Sequence, residues 1–264
     1  MDKATVNGIA MAYEDRGQGD TVVLLHGFCG SSAYWEIVQP LLTRSYRVIA
    51  PDLRGHGSTD APVGAYTIDQ MADDVVQLLE YLGVEKYIVL GHSMGGYVAL
   101  SIAERFSDRL SGFGLIHSTA YPDSDEAREK RLMAVSNINA SGITPFVDGL
   151  VPGLFAEEMR HANEKSVNRT IEIGYGTPPH GASGAALAMR DRVDRREILS
   201  STSLPVLLVA GENDGVIPKE RTFTAEGAHI TQIVIEGAGH MSMYEVPEKL
   251  VQAVNDFLSR TLDR

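Results

Sequence analysis

Continuous apolar runs alternate with amphipathic ones along most of this chain. Thr5-Val6 and Ala10-Met11-Ala12-Tyr13 flank Asn7-Gly8, a dipeptide suited to the type I′ turn, so the start reads as a short hairpin. Thr21 to Leu25, Arg47 to Ala50, Tyr87 to Leu90, Leu115-Ile116, Pro205 to Ala210 and Gln232 to Ile235 are mainly apolar, as strands covered on both faces are. Helical periods separate them. Ala33 to Leu42 is one, and Thr67 to Leu82 is the clearest: Thr67 and Gln70 form a capping box, Met71, Val75, Leu78, Leu79 and Leu82 make one stripe, and Gly83 stops it. Val98, Ile102 and Phe106 mark another inner face. A last helix begins at Pro247 and turns Leu250, Val251, Val254, Phe257 and Leu258 inward. This alternation predicts an α/β fold with a doubly wound, mostly parallel sheet.

From Tyr121 to Ser203 the alternation stops. Helical patterns follow one another without strands, broken by Gly142, Pro145, Pro152-Gly153 and Pro178-Pro179. This reads as a helical cap of residues 121–203 inserted between two late strands of a core made of 1–120 and 204–264. Helix-to-helix packing accounts for most apolar residues of such a cap. Phe146, Leu150, Phe155 and Met189 are nonetheless the candidates to roof a pocket, with Val216 and Met241 from the core.

Charge narrows the partners. Lys+Arg 23 against Asp+Glu 35 gives a net charge of −12, which repels phosphate backbones and anionic lipids, so neither nucleic acid nor a membrane is expected as a partner. With 264 residues and 44% hydrophobic content, one domain can bury a large core. The sole cysteine, Cys29, has no internal partner and fits a reducing compartment. The amino terminus lacks a signal-peptide core and no run reaches the ~18 apolar residues of a membrane span, so a cytoplasmic protein is expected. His161 and His180 lack the spacing of metal ligands, and Asp123-Ser124-Asp125-Glu126 reads as a solvated helix start. No metal and no cofactor is expected.

The chemistry is concentrated in Gly91-His92-Ser93-Met94-Gly95-Gly96, directly after the apolar run Tyr87-Ile88-Val89-Leu90. A serine at a sharp strand-to-helix turn is forced into an unfavourable backbone conformation with its hydroxyl above the sheet. Gly91 and Gly95 allow the strand end and helix start to approach, and the Met94 N–H, free in the first helical turn, can face a developing oxyanion. Ser93 is therefore the candidate nucleophile. Asp214 follows the strand 205–210 and His240 follows 232–235, each flanked by glycines. Loops at the carboxyl ends of parallel strands share one edge, so the three can converge. His240 would take the Ser93 proton and return it to the leaving group, with Asp214 fixing its tautomer.

These residues, with His26-Gly27-Phe28 after an early strand, give a chain that resembles the α/β-hydrolase superfamily over nearly its whole length. The resemblance implies a second oxyanion donor, the backbone N–H of Phe28, beside that of Met94. Pro51-Asp52-Leu53-Arg54-Gly55-His56-Gly57-Ser58 resembles the loop such enzymes carry after the next strand, with Asp52 and Arg54 tying a turn and His56 as a loop hydrogen-bonder. A preorganised serine beside an oxyanion hole suits acyl transfer to water. The expectation is a carboxylesterase cleaving a small or medium, mainly uncharged ester through an acyl-enzyme, unless Arg128, Arg131, Arg190 or Arg192 of the cap turns inward to pair with a substrate carboxylate. Enol-lactonases, carbon–carbon bond hydrolases and cofactor-free perhydrolases (haloperoxidases) share the triad, and a small-molecule receptor on the same fold is the non-enzymatic alternative. Haloalkane dehalogenases and epoxide hydrolases place an aspartate where this chain has Ser93.

Overall fold

Asn7 (φ 46°) and Gly8 (φ 79°) both take left-handed backbone, and β1 (Asp2–Val6) folds back on β2 (Ile9–Arg16) with Val6 opposite Ile9. The structure, a computed structural model, describes residues 1–262. It continues with β3 (Thr21–Leu25), β4 (Arg47–Pro51), β5 (Tyr87–His92), β6 (Leu110–Ile116), β7 (Val206–Gly211) and β8 (Ile230–Ile235). These make one sheet in the order β1-β2-β4-β3-β5-β6-β7-β8, antiparallel from β1 to β4 and parallel from β4 onward. Every residue of β3, β5 and β7 is buried, as continuous apolar runs between two helical layers should be, whereas β8 at the edge is half exposed.

Helices cover both faces. Met71, Val75 and Leu78 of the helix Ile68–Tyr81 and Val98 and Ile102 of the helix Met94–Arg105 pack with Phe113 on one side. Trp35, Leu42 and the helix Pro247–Thr261, through Val254, Phe257 and Leu258, fill the other. Thr67 Oγ1 accepts the Gln70 N–H at 2.9 Å, which caps the first of these helices, and Gly83 (φ 68°) ends it. The expected single helix over 33–42 is instead a 3₁₀ turn at Ser32–Trp35 and one α-turn at Gln39–Leu42. Pro40 is the reason: it has no N–H to carry a helix through and is tolerated only in a first turn.

Between β6 and β7 the described residues hold five α-helices, Asp125–Ser141, Ile143–Leu150, Glu164–Tyr175, Pro179–Arg190 and Arg196–Ser201, and no strand. Asp125–Ser141 packs against Pro179–Arg190, whose small buried residues Gly181, Ala182, Ala185 and Ala186 permit close approach. A Cβ on Gly181 would strike the backbone of Gly55, so this helical segment sits directly on the loop after β4. The sheet order turns at β3, with β4 on one side and β5 on the other. The loops after β3 and β5 are therefore neighbours at the carboxyl edge, where open α/β sheets form their crevice.

Candidate active site

Ser93 joins β5 to the helix Met94–Arg105 with φ 51° and ψ −115°, a conformation that costs a side-chain-bearing residue about 1–3 kcal/mol. The surroundings hold it there. Its N–H donates to Ile116 O at 3.0 Å, and its carbonyl accepts from Gly96 N at 2.9 Å and Ser118 Oγ at 2.7 Å. A Cβ on Gly95 would lie 2.5 Å from Leu25 O, and one on Gly91 would run into the backbone of Gly95 and Gly96. Gly27 lies against the other side, where an added Cβ would come 3.3 Å from the Ser93 Cβ. The Phe28 loop thus abuts the serine.

Asp214, after β7, is held by four donors. Val216 N and Ile217 N donate to Oδ1 at 2.8 and 2.9 Å, while Oδ2 accepts from His240 Nδ1 at 2.9 Å and from His117 Nδ1 at 3.2 Å. Burial alone would raise this carboxyl; its interaction with the adjacent His240 and the two imidazole donors instead hold it well below the usual carboxylate range. Asp214 is thus an anion that only accepts, which places a proton on Nδ1 of both imidazoles. His240 Nε2 is then left with a lone pair, the form a general base needs. His92 takes the opposite tautomer, donating from Nε2 to the carbonyl of His240 at 2.9 Å, and burial keeps it neutral.

The neighbouring loops are tied by side chains rather than by secondary structure. His26 Nδ1 donates to Gly27 O at 2.8 Å and Nε2 accepts the Leu53 N–H at 2.9 Å, joining the loop after β3 to the loop after β4. Burial lowers its pKa to about 4. Asp52 accepts from Ser32 N and Ser58 N at 2.7 and 2.8 Å, and Arg54 makes a buried bidentate pair with Asp74 at 2.7 and 2.8 Å. His56 donates to Arg54 O at 3.1 Å, and burial takes it down to about 3. Glu245 accepts from Ala156 N at 2.7 Å, Gly239 N at 2.9 Å and Met241 N at 3.1 Å; burial still pushes its carboxyl up. The His240 N–H donates to Leu154 O at 2.8 Å, so the His240 loop is fastened twice to the segment 154–156.

A cavity of about 280 Å³ opens over Ser93 and His240. Among the pocket residues expected from sequence, Leu150, Met189 and Val216 line it, as does Phe28. Phe146, Phe155 and Met241 do not. Phe146 lies on an outer depression with its ring 6.0 Å from that of Phe28, while Phe155 (2% exposed) and Met241 (0%) are packed in the core. The cavity wall also carries Arg131, Arg192 and Arg221 and one aspartate, Asp123. Arg192 is engaged with Asp123 at 2.5 Å, with Met189 O and Tyr121 O, and with the Tyr97 ring 4.0 Å from its centre. Arg131 reaches the other Asp123 oxygen through Nε at 3.1 Å, and Arg221 lies over the Tyr121 ring.

Of the cap arginines that could meet a substrate carboxylate, Arg131 and Arg192 line the cavity and Arg128 and Arg190 do not; sequence reasoning missed His117, Glu245 and Arg221. A histidine ending a strand carries no local sign of a partner 97 residues away. His161 and His180 are exposed, the latter donating to Ala61 O. Among the described residues the one group with metal-ligand proximity is His117, Asp214 and His240, within 4.8 Å of one another, and there both Nδ1 atoms already face the Asp214 oxygen as hydrogen-bond donors. No helix among the described residues is long and apolar enough to cross a membrane.

Comparison with known proteins agrees with this architecture. The family model described as alpha/beta hydrolase fold matches residues 20–247. The chain is 29% identical over 225 residues to 3-oxoadipate enol-lactonase 1 of Acinetobacter baylyi, covering 85% of this chain and 83% of that one. The solved structure of a thermophilic esterase from Thermogutta terrifontis, malate bound, superposes with a TM-score of 0.92 at 33% identity over 98% of this chain and 97% of that one. The enol-lactonase from Burkholderia xenovorans LB400 follows at a TM-score of 0.89 and 25% identity, over 98% and 100%.

Proposed function

This chain belongs to the α/β-hydrolase family, and we propose that within it the protein is a serine hydrolase that cleaves a small or medium carboxylic ester through an acyl-enzyme. One observation carries this reading. The strained Ser93 and the Asp214-oriented His240 open on the same cavity. His240 Nε2 takes the Ser93 hydroxyl proton as Oγ attacks the ester carbonyl, and the carbonyl π electrons move to oxygen. The N–H groups of Phe28 and Met94 face that oxyanion. Collapse expels the alcohol, which receives the proton from His240, and water repeats the sequence to free the acid. The helical segment 121–203 acts as a cap over the acyl group, with Leu150 and Met189 as its apolar contacts. We place the protein in the cytoplasm, where the buried Cys29, whose thiol burial pushes up, stays reduced.

The arginine wall favours a second reading. Three guanidiniums against one aspartate leave the cavity with excess positive charge, which suits an ester or lactone bearing a carboxylate. Two measurements separate the readings. A fluorophosphonate should label Ser93 and no other residue, as mass spectrometry reads; a folded protein without adduct there removes the serine-hydrolase reading. Then kcat/KM for a neutral p-nitrophenyl ester is compared with that for an enol-lactone acid. A hundredfold preference for the anionic substrate, about 2.7 kcal/mol of transition-state stabilisation, would replace the esterase by the lactonase.

A further inference from the structure

His117 has no part in the reaction just described, yet both of its ring nitrogens are engaged beside it. It is wholly buried and stands one residue past the end of β6 with φ 49°, a left-handed backbone that a histidine adopts only under constraint. Its N–H is fixed by Val209 O at 2.8 Å. Its Nδ1 lies 3.2 Å from Asp214 Oδ2, the oxygen that also receives His240 Nδ1, and its Nε2 lies 2.6 Å from Ser242 Oγ. Ser242 is itself fully buried. The tautomer follows. The carboxylate accepts only, so His117 donates from Nδ1, and Nε2 must accept the Ser242 hydroxyl proton.

We propose that His117 is a positioning residue of the triad, which with Ser242 holds the Asp214 carboxylate in place and takes up part of its acceptor strength at the very oxygen that orients His240. This rests on the reading of Ser93, Asp214 and His240 as a triad. A carboxylate oxygen shared between two imidazole donors stabilises the imidazolium of His240 less than one given to His240 alone. Loss of His117 would give that acceptor strength back to His240 alone. His117 cannot substitute as a base, because its free lone pair already accepts from Ser242 and its ring is enclosed. The other titratable groups facing this pair are His92 at the end of β5, its ring 4.9 Å from His240 and 6.0 Å from His117, and Glu245, whose oxygens accept the Ala156, Gly239 and Met241 N–H groups. Burial keeps both His92 and His117 neutral beside the Asp214 anion.

The test is the pH profile of kcat/KM for a neutral ester in wild type, His117→Ala, His117→Asn and Ser242→Ala, with Ser93→Ala as the control. Asparagine retains a donor near the Nδ1 position and tolerates left-handed backbone. In His117→Ala the acid limb should move to higher pH by about one unit, with kcat at pH 7 reduced about tenfold and KM little changed. Ser242→Ala should move the limb the same way by less, and His117→Asn should bring it back to within about 0.3 of wild type. In ¹⁵N-histidine spectra from pH 5 to 8, His117 should show the Nδ1–H tautomer and should not titrate, a readout that survives even where the alanine variant fails to fold. An inactive Ser93→Ala beside an unmoved limb in His117→Ala, an asparagine variant no better than alanine, or an Nε2–H tautomer overturns the proposal alone. Full activity in Ser93→Ala overturns the triad and this proposal together.

Discussion

The two walls of the cavity are built by different means. The floor, on the sheet edge, is made of backbone placed by strands and locked by obligatory bonds: Ser93 by Ile116 and Ser118, Asp214 by Val216 and Ile217, His26 by Leu53. The roof, from the helical segment, is made of side chains, some of them on a helix that buries little. Asp125–Ser141 buries only Ile138, and its Leu132 and Met133 remain exposed. Chemistry needs sub-ångström placement and therefore sits where many bonds over-determine each group. Selectivity tolerates looser placement, so side chains of the roof away from residues 154–156 are the ones free to change without disturbing the floor.

The strongest way to break that contrast is on the floor. Ser93→Ala should lower kcat on the order of 10⁶-fold against any ester, with an unchanged melting temperature. Asp214→Asn should cost about 10⁴-fold in kcat, since an amide would favour the wrong His240 tautomer, with KM nearly constant. Near-normal turnover in either variant would place the chemistry elsewhere. Acid tests the floor as a whole. His26 titrates at about 4 and His56 at about 3 in the folded chain, against about 6.5 when unfolded, because burial disfavours their charged forms. Between those values the unfolded chain binds more protons, so stability is full above pH ~6.5 and falls as pH drops toward 4. His26 alone accounts for ~3 kcal/mol of that loss, and denaturant titrations at pH 7 and 4.5 should reveal the slope. The roof should respond differently. Arg131→Gln should lower kcat/KM about tenfold for a carboxylate-bearing substrate and less than about twofold for a neutral one. Equal losses on both would make Arg131 a structural partner of Asp123. Smallest of all, Leu150→Ala should raise KM for a medium-chain ester by a few-fold and leave kcat alone.

The same contrast explains what could be read in advance. The hairpin at Asn7-Gly8, the Thr67 cap and the buried runs of β3, β5 and β7 are local facts of turn chemistry and periodicity, and they stand in the structure where the pattern places them. The convergence of Ser93, Asp214 and His240 on one edge is a consequence of parallel topology, legible once the strands are. Pro40 should have divided the helix expected over 33–42, and that signal was present in the sequence. The pocket lining was not legible. Phe155 and Met241 are as apolar as Leu150 and Met189, and hydropathy alone does not separate a core position from a cavity wall. Arg131 lies on a helix with almost no amphipathic stripe, so nothing in its period says which side docks. His117 depends on partners in two other loops, at Asp214 and Ser242.

Glu245 carries a consequence for how such proteins diverge and can be rebuilt. Its carboxylate clasps Ala156 from the helical segment together with Gly239 and Met241 on either side of His240, while Gly239 packs so closely on Ala156 that no Cβ would fit between them. The segment between β6 and β7 is consequently not a cassette that can be cut at its two ends and exchanged. A transplanted segment that lacks the Leu154-Phe155-Ala156 backbone path would leave a buried carboxylate short of a donor and the His240 loop without its anchor. Chimaeras that retain residues 154–156 with Glu245 should keep turnover on simple esters while changing preference, and those that replace them should lose both together.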